Sequence, residues 1–155
     1  MAKPLTFMED DLSGPDIIAL LALHLKEMHA WSPACSVHAM PVERLREADV
    51  TFWSAWDGER LAGCGALKHL GDDHGELKSM RAHPDYRGKG VGSAMLEYLM
   101  DQAVSRGYRQ LSLETGSTEP FEPARGLYAS RGFEVCGPFA DYALDPFSVF
   151  MTKAL

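Results

Sequence analysis

At 155 residues the chain can build one compact core, expected as a single domain over 1–155, and is too short for two ordinary domains. With 46% apolar and 24% charged residues, its composition is globular rather than disordered. A formal charge of −7 argues against nucleic acid or an anionic membrane as partner, since both ask for a basic face.

The opening MAKPLTFMEDDLSGPD lacks the apolar segment of a signal peptide, and no run approaches the roughly 18 to 20 apolar residues that span a bilayer. A cytoplasmic protein is therefore expected. Thr6 to Asp11 reads equally as a short edge strand or as coil. Pro15, after Ser13-Gly14, suits the first turn of a helix. Ile17, Leu21, Leu25 and Met28 then recur every three or four residues, predicting an amphipathic helix that ends near Trp31, where Ser32-Pro33 stops it. Residues 32–48 read as loop, with one helical turn around Val42 to Arg46.

Three strands come next in the chain, Val50 to Ala55, Arg60 to Leu70 and Glu76 to Ala82, with Asp57-Gly58 as a hairpin turn and Gly71 to Gly75 as the second separator. A helix succeeds them, with Val91, Ala94, Met95, Tyr98, Leu99 and Ala103 on its apolar face and Gly107 placed to cap it. Gln110 to Glu114 reads as a strand, Pro123 opens a short helix that Gly132 ends, and Phe133 to Cys136 and Ser148 to Lys153 complete the strands. Helix, antiparallel meander, helix crossover, strand, helix and strand predict an α+β fold on a mixed sheet.

Cys35, Cys64 and Cys136 are odd in number and widely spaced, without a C-x-x-C pair, so neither a disulfide framework nor a zinc site is expected. His24 and His29 are five apart and share a helix face poorly, and no other metal-ligand spacing occurs, so no metal is expected. Charge is unevenly spread. Lys78, Arg81, Arg87 and Lys89 against Asp85 give a local +3 over 78–89 and leave −10 for the rest, which suits a small polyanionic ligand.

Inside that island lies Arg87-Gly88-Lys89-Gly90-Val91-Gly92, between a strand and a helix. Glycines let the backbone turn its N–H groups toward one point, and the helix start adds a positive dipole end. Such a nest holds a phosphate or pyrophosphate. The spacing G-x-x-x-x-G-K-[ST] of a P-loop is absent. A dinucleotide loop is nearly met by Gly88-x-Gly90 followed by Ser93, with Glu114 at the distance of a ribose contact, but an antiparallel meander upstream fits that fold badly.

The run Glu76 to Gly92, with Arg87-x-x-Gly90-x-Gly92, resembles the acetyl-CoA loop [RQ]-x-x-G-x-[GA] of the GNAT family of N-acetyltransferases. Ala124 to Phe133, reading A-x-x-L-Y-x-x-x-G-F, resembles the family's second signature, and the element order agrees along nearly the whole chain. Gly137 to Tyr142, Pro146 to Leu155 and Ser36-Val37-His38 look like a narrower bacterial set, the YsnE-like acetyltransferases. The resemblance implies a strongly twisted, mostly antiparallel sheet with a V-shaped cofactor cleft between two diverging parallel strands. It implies acetyl-CoA as donor and CoA as product, with transfer to an amine in one ternary complex and no covalent enzyme intermediate.

Residue by residue, the resemblance assigns the phosphates to the backbone of Arg87, Gly88, Lys89, Gly90, Val91 and Gly92, with Ser93 at the helix start. The pantetheine arm would add like a strand to Met80, Arg81 and Ala82. Tyr128 matches the tyrosine that faces the cofactor sulfur and can protonate a leaving thiolate; the bland alternative is a tyrosine packing a short helix on the sheet. Glu76 is the candidate general base, its alternative being a solvated strand-end carboxylate. Glu114 could face the same cleft, and His38, neutral at pH 7, could also take a proton. His29 and Trp31 lie where this fold builds the acceptor pocket. Phe121 stands where the family often has Asn, which removes one hydrogen bond to the cofactor arm. Gly126 inside a helix costs about 1 kcal/mol against Ala, suggesting close packing or a mobile segment.

The expected acceptor is a small-molecule amine, and pairing into a homodimer is compatible with the chain. Rival expectations are a non-catalytic CoA-binding sensor and a protein or peptide N-acetyltransferase.

Overall fold

The computed structural model describes residues 4–38 and 40–155. Its centre is a seven-stranded sheet formed by β1 (Thr6–Glu9), β2 (Val50–Asp57), β3 (Arg60–Gly71), β4 (His74–Ala82), β5 (Gln110–Gly116), β6 (Glu134–Cys136) and β7 (Ser148–Ala154). The strand order is β1-β2-β3-β4-β5-β7-β6. Strands β4 and β5 pair in parallel, and the remaining neighbours are antiparallel. A parallel pair needs a crossover, and helix α3 (Val91–Ser105) supplies it. The other helices are α1 (Pro15–Trp31), the single turn α2 (Val42–Leu45) and α4 (Glu122–Ser130).

Alternation along the strands divides the core between the two sheet faces. Trp53, Leu67, Leu77, Leu111 and Leu113 pack with Met95, Leu96 and Leu99 of α3 and with Tyr128 of α4. Phe52, Cys64 and Ala66 pack on the opposite face with Ile17, Leu20 and Leu21 of α1 and Leu45 of α2. Cys64 is fully buried, and burial pushes its thiol up to about 12, so it acts as a small hydrophobe and not as a nucleophile.

The ambiguous segment after residue 5 is a strand, held at the edge because Phe7 stacks on Tyr98 of α3 with ring centroids 4.3 Å apart. Strands β2, β4 and β5 extend by two residues beyond their expected ends. Pairing to neighbours carries them through turn-like residues such as His74-Gly75 and Thr115-Gly116. Short turns at Ala34–Ser36, Pro84–Tyr86 and Glu119–Phe121 occupy stretches with no apolar period to reveal them. Gly107 closes α3 at φ 82°. Among the described residues no helix is long and apolar enough to cross a membrane.

The feature that shapes the site is in β4. Parallel pairing with β5 stops at Leu77↔Leu113, although β4 runs on to Ala82 and β5 to Gly116. Just beyond the last pair, Ser79 sits at φ 51° and the β3–β4 register shifts between Cys64 and Ala66. This is a β-bulge: one extra residue bends the strand and re-aims its last residues, Met80 to Ala82. β4 stays with β3, β5 stays with β7, and the two part in a V.

Two glycines test this packing. A Cβ on Gly116 would lie 2.1 to 2.5 Å from the ring of Phe121, so the ring would have to shift. Gly116→Ala is expected to cost about 1–3 kcal/mol, seen as a lower urea midpoint with unchanged slope. Gly126, in α4, has nothing within 4 Å of its added Cβ, which removes close packing from the two expected reasons for it, so Gly126→Ala is expected to stabilise by about 0.5–1 kcal/mol.

Candidate functional site

The V holds a cleft of about 190 Å³. Leu77 to Arg81 of β4 and Leu113 to Gly116 of β5 form its floor, and the last turns of α1 contribute His24, Met28 and Trp31. Ser36, Val37 and His38 form a second wall, and Phe121, Ala124, Tyr128 and Phe147 a third. Trp31 and Phe121 meet edge to face at 5.4 Å, and the Thr118 hydroxyl donates to the Trp31 carbonyl at 3.1 Å. Where the family often has Asn, Phe121 therefore supplies apolar wall. Arg125 fixes the start of α4 by donating to the carbonyls of Gly116 (2.7 Å) and Thr118 (3.1 Å).

Besides His24 and His38, whose proton affinity is lowered, two side chains facing this space have theirs raised. Burial holds the Glu114 carboxyl up at about 7, against the opposing pull of the Ser148 hydroxyl and the Lys78 cation. Burial, with help from the Glu114 charge, pushes the Tyr128 phenol above its ordinary range, so it stays protonated. Such a carboxyl changes its protonation near neutrality, while such a phenol keeps its proton. Among the described residues no cluster of His, Cys, Asp and Glu could hold a metal ion.

Glu76, expected either at the strand end in solvent or open to the cleft, is in neither place. It is 1% exposed and absent from the cleft wall. Its Oε2 accepts a 2.5 Å hydrogen bond from Tyr142 on the β6–β7 loop (residues 137–147) and lies 3.4 Å from the Lys78 ammonium. The cause is alternation: Leu77 faces α3, so Glu76 and Lys78 face the other side, where the loop covers them.

The glycine turn lies at the open end, next to the freed edge of β4. Gly88 (φ 72°) and Gly90 (φ 81°) adopt left-handed backbone, and Gly90 is the N-cap of α3, so the N–H groups of Val91 and Gly92 begin a helix with no intrahelical partner. Arg87 is mostly exposed and reaches Glu27 of α1 at 3.2 Å, and Glu27 also pairs with the buried Arg81. One carboxylate thus links the turn, the β4 edge and the helix that walls the cleft. His24 lies 3.4 Å from Arg81, and burial with that neighbouring cation drops its pKa to about 4, leaving it neutral. Lys89 stacks its ammonium 5.6 Å over the Tyr86 ring. The Ser93 hydroxyl is engaged by Arg131 of the α4 end, which leaves its backbone N–H for the turn.

Of the expected site residues, Met80, Arg81, Trp31, His38, Glu114 and Tyr128 meet at the cleft, and Ala82 continues the same free edge. His29 does not: it is exposed on the outer face of α1, and His24, earlier on the same helix, takes the inward place. Sequence reasoning missed the roles of Lys78, Tyr142 and Asp145, whose partners are distant in the chain. The Ser36 hydroxyl donates to Asp145 at 2.6 Å across 109 positions.

The profile of the family described as "Acetyltransferase (GNAT) family" matches residues 17–133. The chain is 54% identical over 146 residues to Uncharacterized N-acetyltransferase YsnE of Bacillus subtilis, covering 94% of this chain and 97% of that one. It is 49% identical to Uncharacterized N-acetyltransferase YedL of Escherichia coli, covering 97% and 94%. A crystal structure described as a candidate acyl-CoA N-acyltransferase, from Klebsiella pneumoniae, superposes with TM-score 0.79 at 28% identity over 97% of both chains.

The left-handed glycines and the free helix-start N–H groups of the turn suit an anion. Inorganic pyrophosphate is expected to raise the melting temperature, and Gly90→Ala to remove most of that rise. A non-glycine residue at φ 81° costs about 1–2 kcal/mol, and the added Cβ touches nothing else. A thermal-shift titration of both proteins checks it.

Proposed function

The chain belongs to the GNAT acetyltransferase family and is an acetyl-CoA-dependent N-acetyltransferase; from that premise we propose that its acceptor is a small-molecule amine that attacks the donor directly in a ternary complex. The observation that carries this reading is the pairing of Glu114, a half-buried carboxyl ionising near 7, with the protonated Tyr128 in one cleft.

The residues fit the donor. The positive-φ turn Arg87–Gly92 would hold its phosphates, and the β4 edge at Met80–Ala82, unpaired with β5, offers backbone groups to an amide-bearing arm. Acetyl-CoA supplies an acyl group on a thiolate leaving group. Glu114, directly or through water, takes the proton that the amine loses as its nitrogen bonds to the acyl carbon. Tyr128 gives its proton to the sulfur as the carbon–sulfur bond breaks.

The walls also bear on the acceptor. Met28, Trp31, Val37, Phe121 and Phe147 present apolar and aromatic surface around a space of small-molecule size. This favours an amine with an apolar body over a polyamine, whose second charge would have no partner among those side chains. The acidic balance outside the cofactor island agrees with a cationic acceptor.

CoA thiol release from acetyl-CoA is the assay, with 2-phenylethylamine and spermidine as contrasting acceptors; the aromatic amine is expected to be the better substrate. Because the Glu114 carboxyl is held up by burial, it works as a base only once ionised, so kcat/KM rises as pH increases through about 7. Glu114→Gln is expected to lose about 10²–10⁴-fold and that pH limb with it. Activity that keeps its limb in the variant, or no thiol release with any primary amine, would contradict the reading.

A further inference from the structure

Three buried groups beside the cleft take no part in the reaction as assigned. The side chains of Glu76 and Lys78 are 2% and 9% exposed. The Tyr142 hydroxyl donates to Glu76 Oε2 at 2.5 Å and accepts from Lys78 Nζ at 2.8 Å. Lys78 also donates to the His38 carbonyl at 3.2 Å and lies 3.4 Å from Glu76 Oε2. Two of the ammonium's three N–H donors are used in hydrogen bonds, and its charge is paired with the Glu76 carboxylate. Lys78 and Glu76 are thus committed to each other as a buried pair.

The partners come from separate segments. β4 supplies Glu76 and Lys78, the segment before α2 supplies His38, and the β6–β7 loop supplies Tyr142. His38 packs edge to face on the Tyr142 ring at 5.0 Å, and Phe139 and Phe150 enclose that ring from the other side at 5.1 and 5.4 Å. The Ser36–Asp145 hydrogen bond ties the same two segments a second time. His38, Ser36 and Phe147 all line the cleft.

We propose that Glu76 is a positioning residue and not the proton acceptor: with Tyr142 and Lys78 it forms a buried clasp that fastens the 34–38 segment and the β6–β7 loop to the sheet as the acceptor end of the cleft, and it balances the Lys78 cation beside Glu114. Uncompensated, Lys78 would favour the ionised form of Glu114; with Glu76 next to it, that pull is partly cancelled. The other ionisable groups near Glu114 are Asp145 on the loop and Tyr128 on α4, with His38 facing Lys78 and Asp145. Opening such a pair by removing one partner leaves a buried charge alone, so the clasp is strongly biased toward its closed form.

This inference rests on Glu114 as base only for its kinetic meaning; its test reads Glu114 directly. The carboxyl ¹³C resonance of Glu114 is titrated in the wild type, Glu76→Gln, Lys78→Met and Tyr142→Phe. Its midpoint is expected to fall by about one unit in Glu76→Gln and to rise in Lys78→Met. Tyr142→Phe changes no charge, so the midpoint stays and backbone hydrogen exchange across 137–147 accelerates instead. If Lys78→Met does not fold, the Glu76→Gln and Tyr142→Phe pair decides. In thiol-release assays the acid limb of kcat/KM persists in Glu76→Gln, moved to lower pH. A Glu114 midpoint that does not move in Glu76→Gln overturns the proposal, as does loss of that limb in Glu76→Gln while Glu114→Gln retains it, since Glu76 would then be the base. Loss of the limb only in Glu114→Gln supports both readings.

Discussion

Two parallel strands that stay hydrogen-bonded to their ends leave no gap between them and no backbone groups to spare. Here β4 and β5 share four residue pairs, ending at Leu77 and Leu113, and a single extra residue at the Ser79 bulge turns β4 aside. That local change opens the sheet without breaking it, because β3 and β7 keep each strand paired on its outer side. The freed β4 edge, the cleft floor and the approach of the glycine turn to the same space are all consequences of it. So is the burial of Glu114, which lies one position past the last pair.

The opposite demand is met on the sheet face toward α1. A cleft for a polar reaction needs charges on its floor, yet buried charges are costly unless paired. Arg81 is matched by Glu27, and Lys78 by Glu76 through Tyr142. His24, packed against Arg81, stays neutral, its pKa dropped to about 4. Among the described residues Glu114 is the cleft carboxyl that makes no ion pair, and burial raises its proton affinity. The same pairs carry a mechanical load, since Glu27 spans α1, β4 and the glycine turn, while Tyr142 binds the β6–β7 loop to β4.

Much of this is legible from local pattern. The apolar periods of α1 and α3, the alternating meander and the glycine turn each carry a spacing that survives into the structure, and the order of the two signatures points to the family. The features that local pattern hides depend on partners far away in sequence. Nothing near Glu76 announces that Tyr142, 66 positions on, will donate to it, and a glutamate after Gly75 looks like a solvated strand end. His29 lies nearer the helix end than His24, yet the rotation of α1 against β4 decides which one points inward. Strands outrun their local signals where pairing overrides turn-forming residues, as at His74-Gly75 and Thr115-Gly116. Phe121 reads in sequence as a lost hydrogen bond and is instead a wall, because Gly116 leaves space for its ring.

A crystal structure with acetyl-CoA bound tests the central claim most directly. The phosphates are expected on the Arg87–Gly92 turn, the arm along the β4 edge at Met80–Ala82, and the sulfur within hydrogen-bond reach of the Tyr128 hydroxyl, with the acetyl group turned toward Glu114. A complex whose thioester lies away from Tyr128 and Glu114, or whose phosphates sit elsewhere than on the turn, would contradict it.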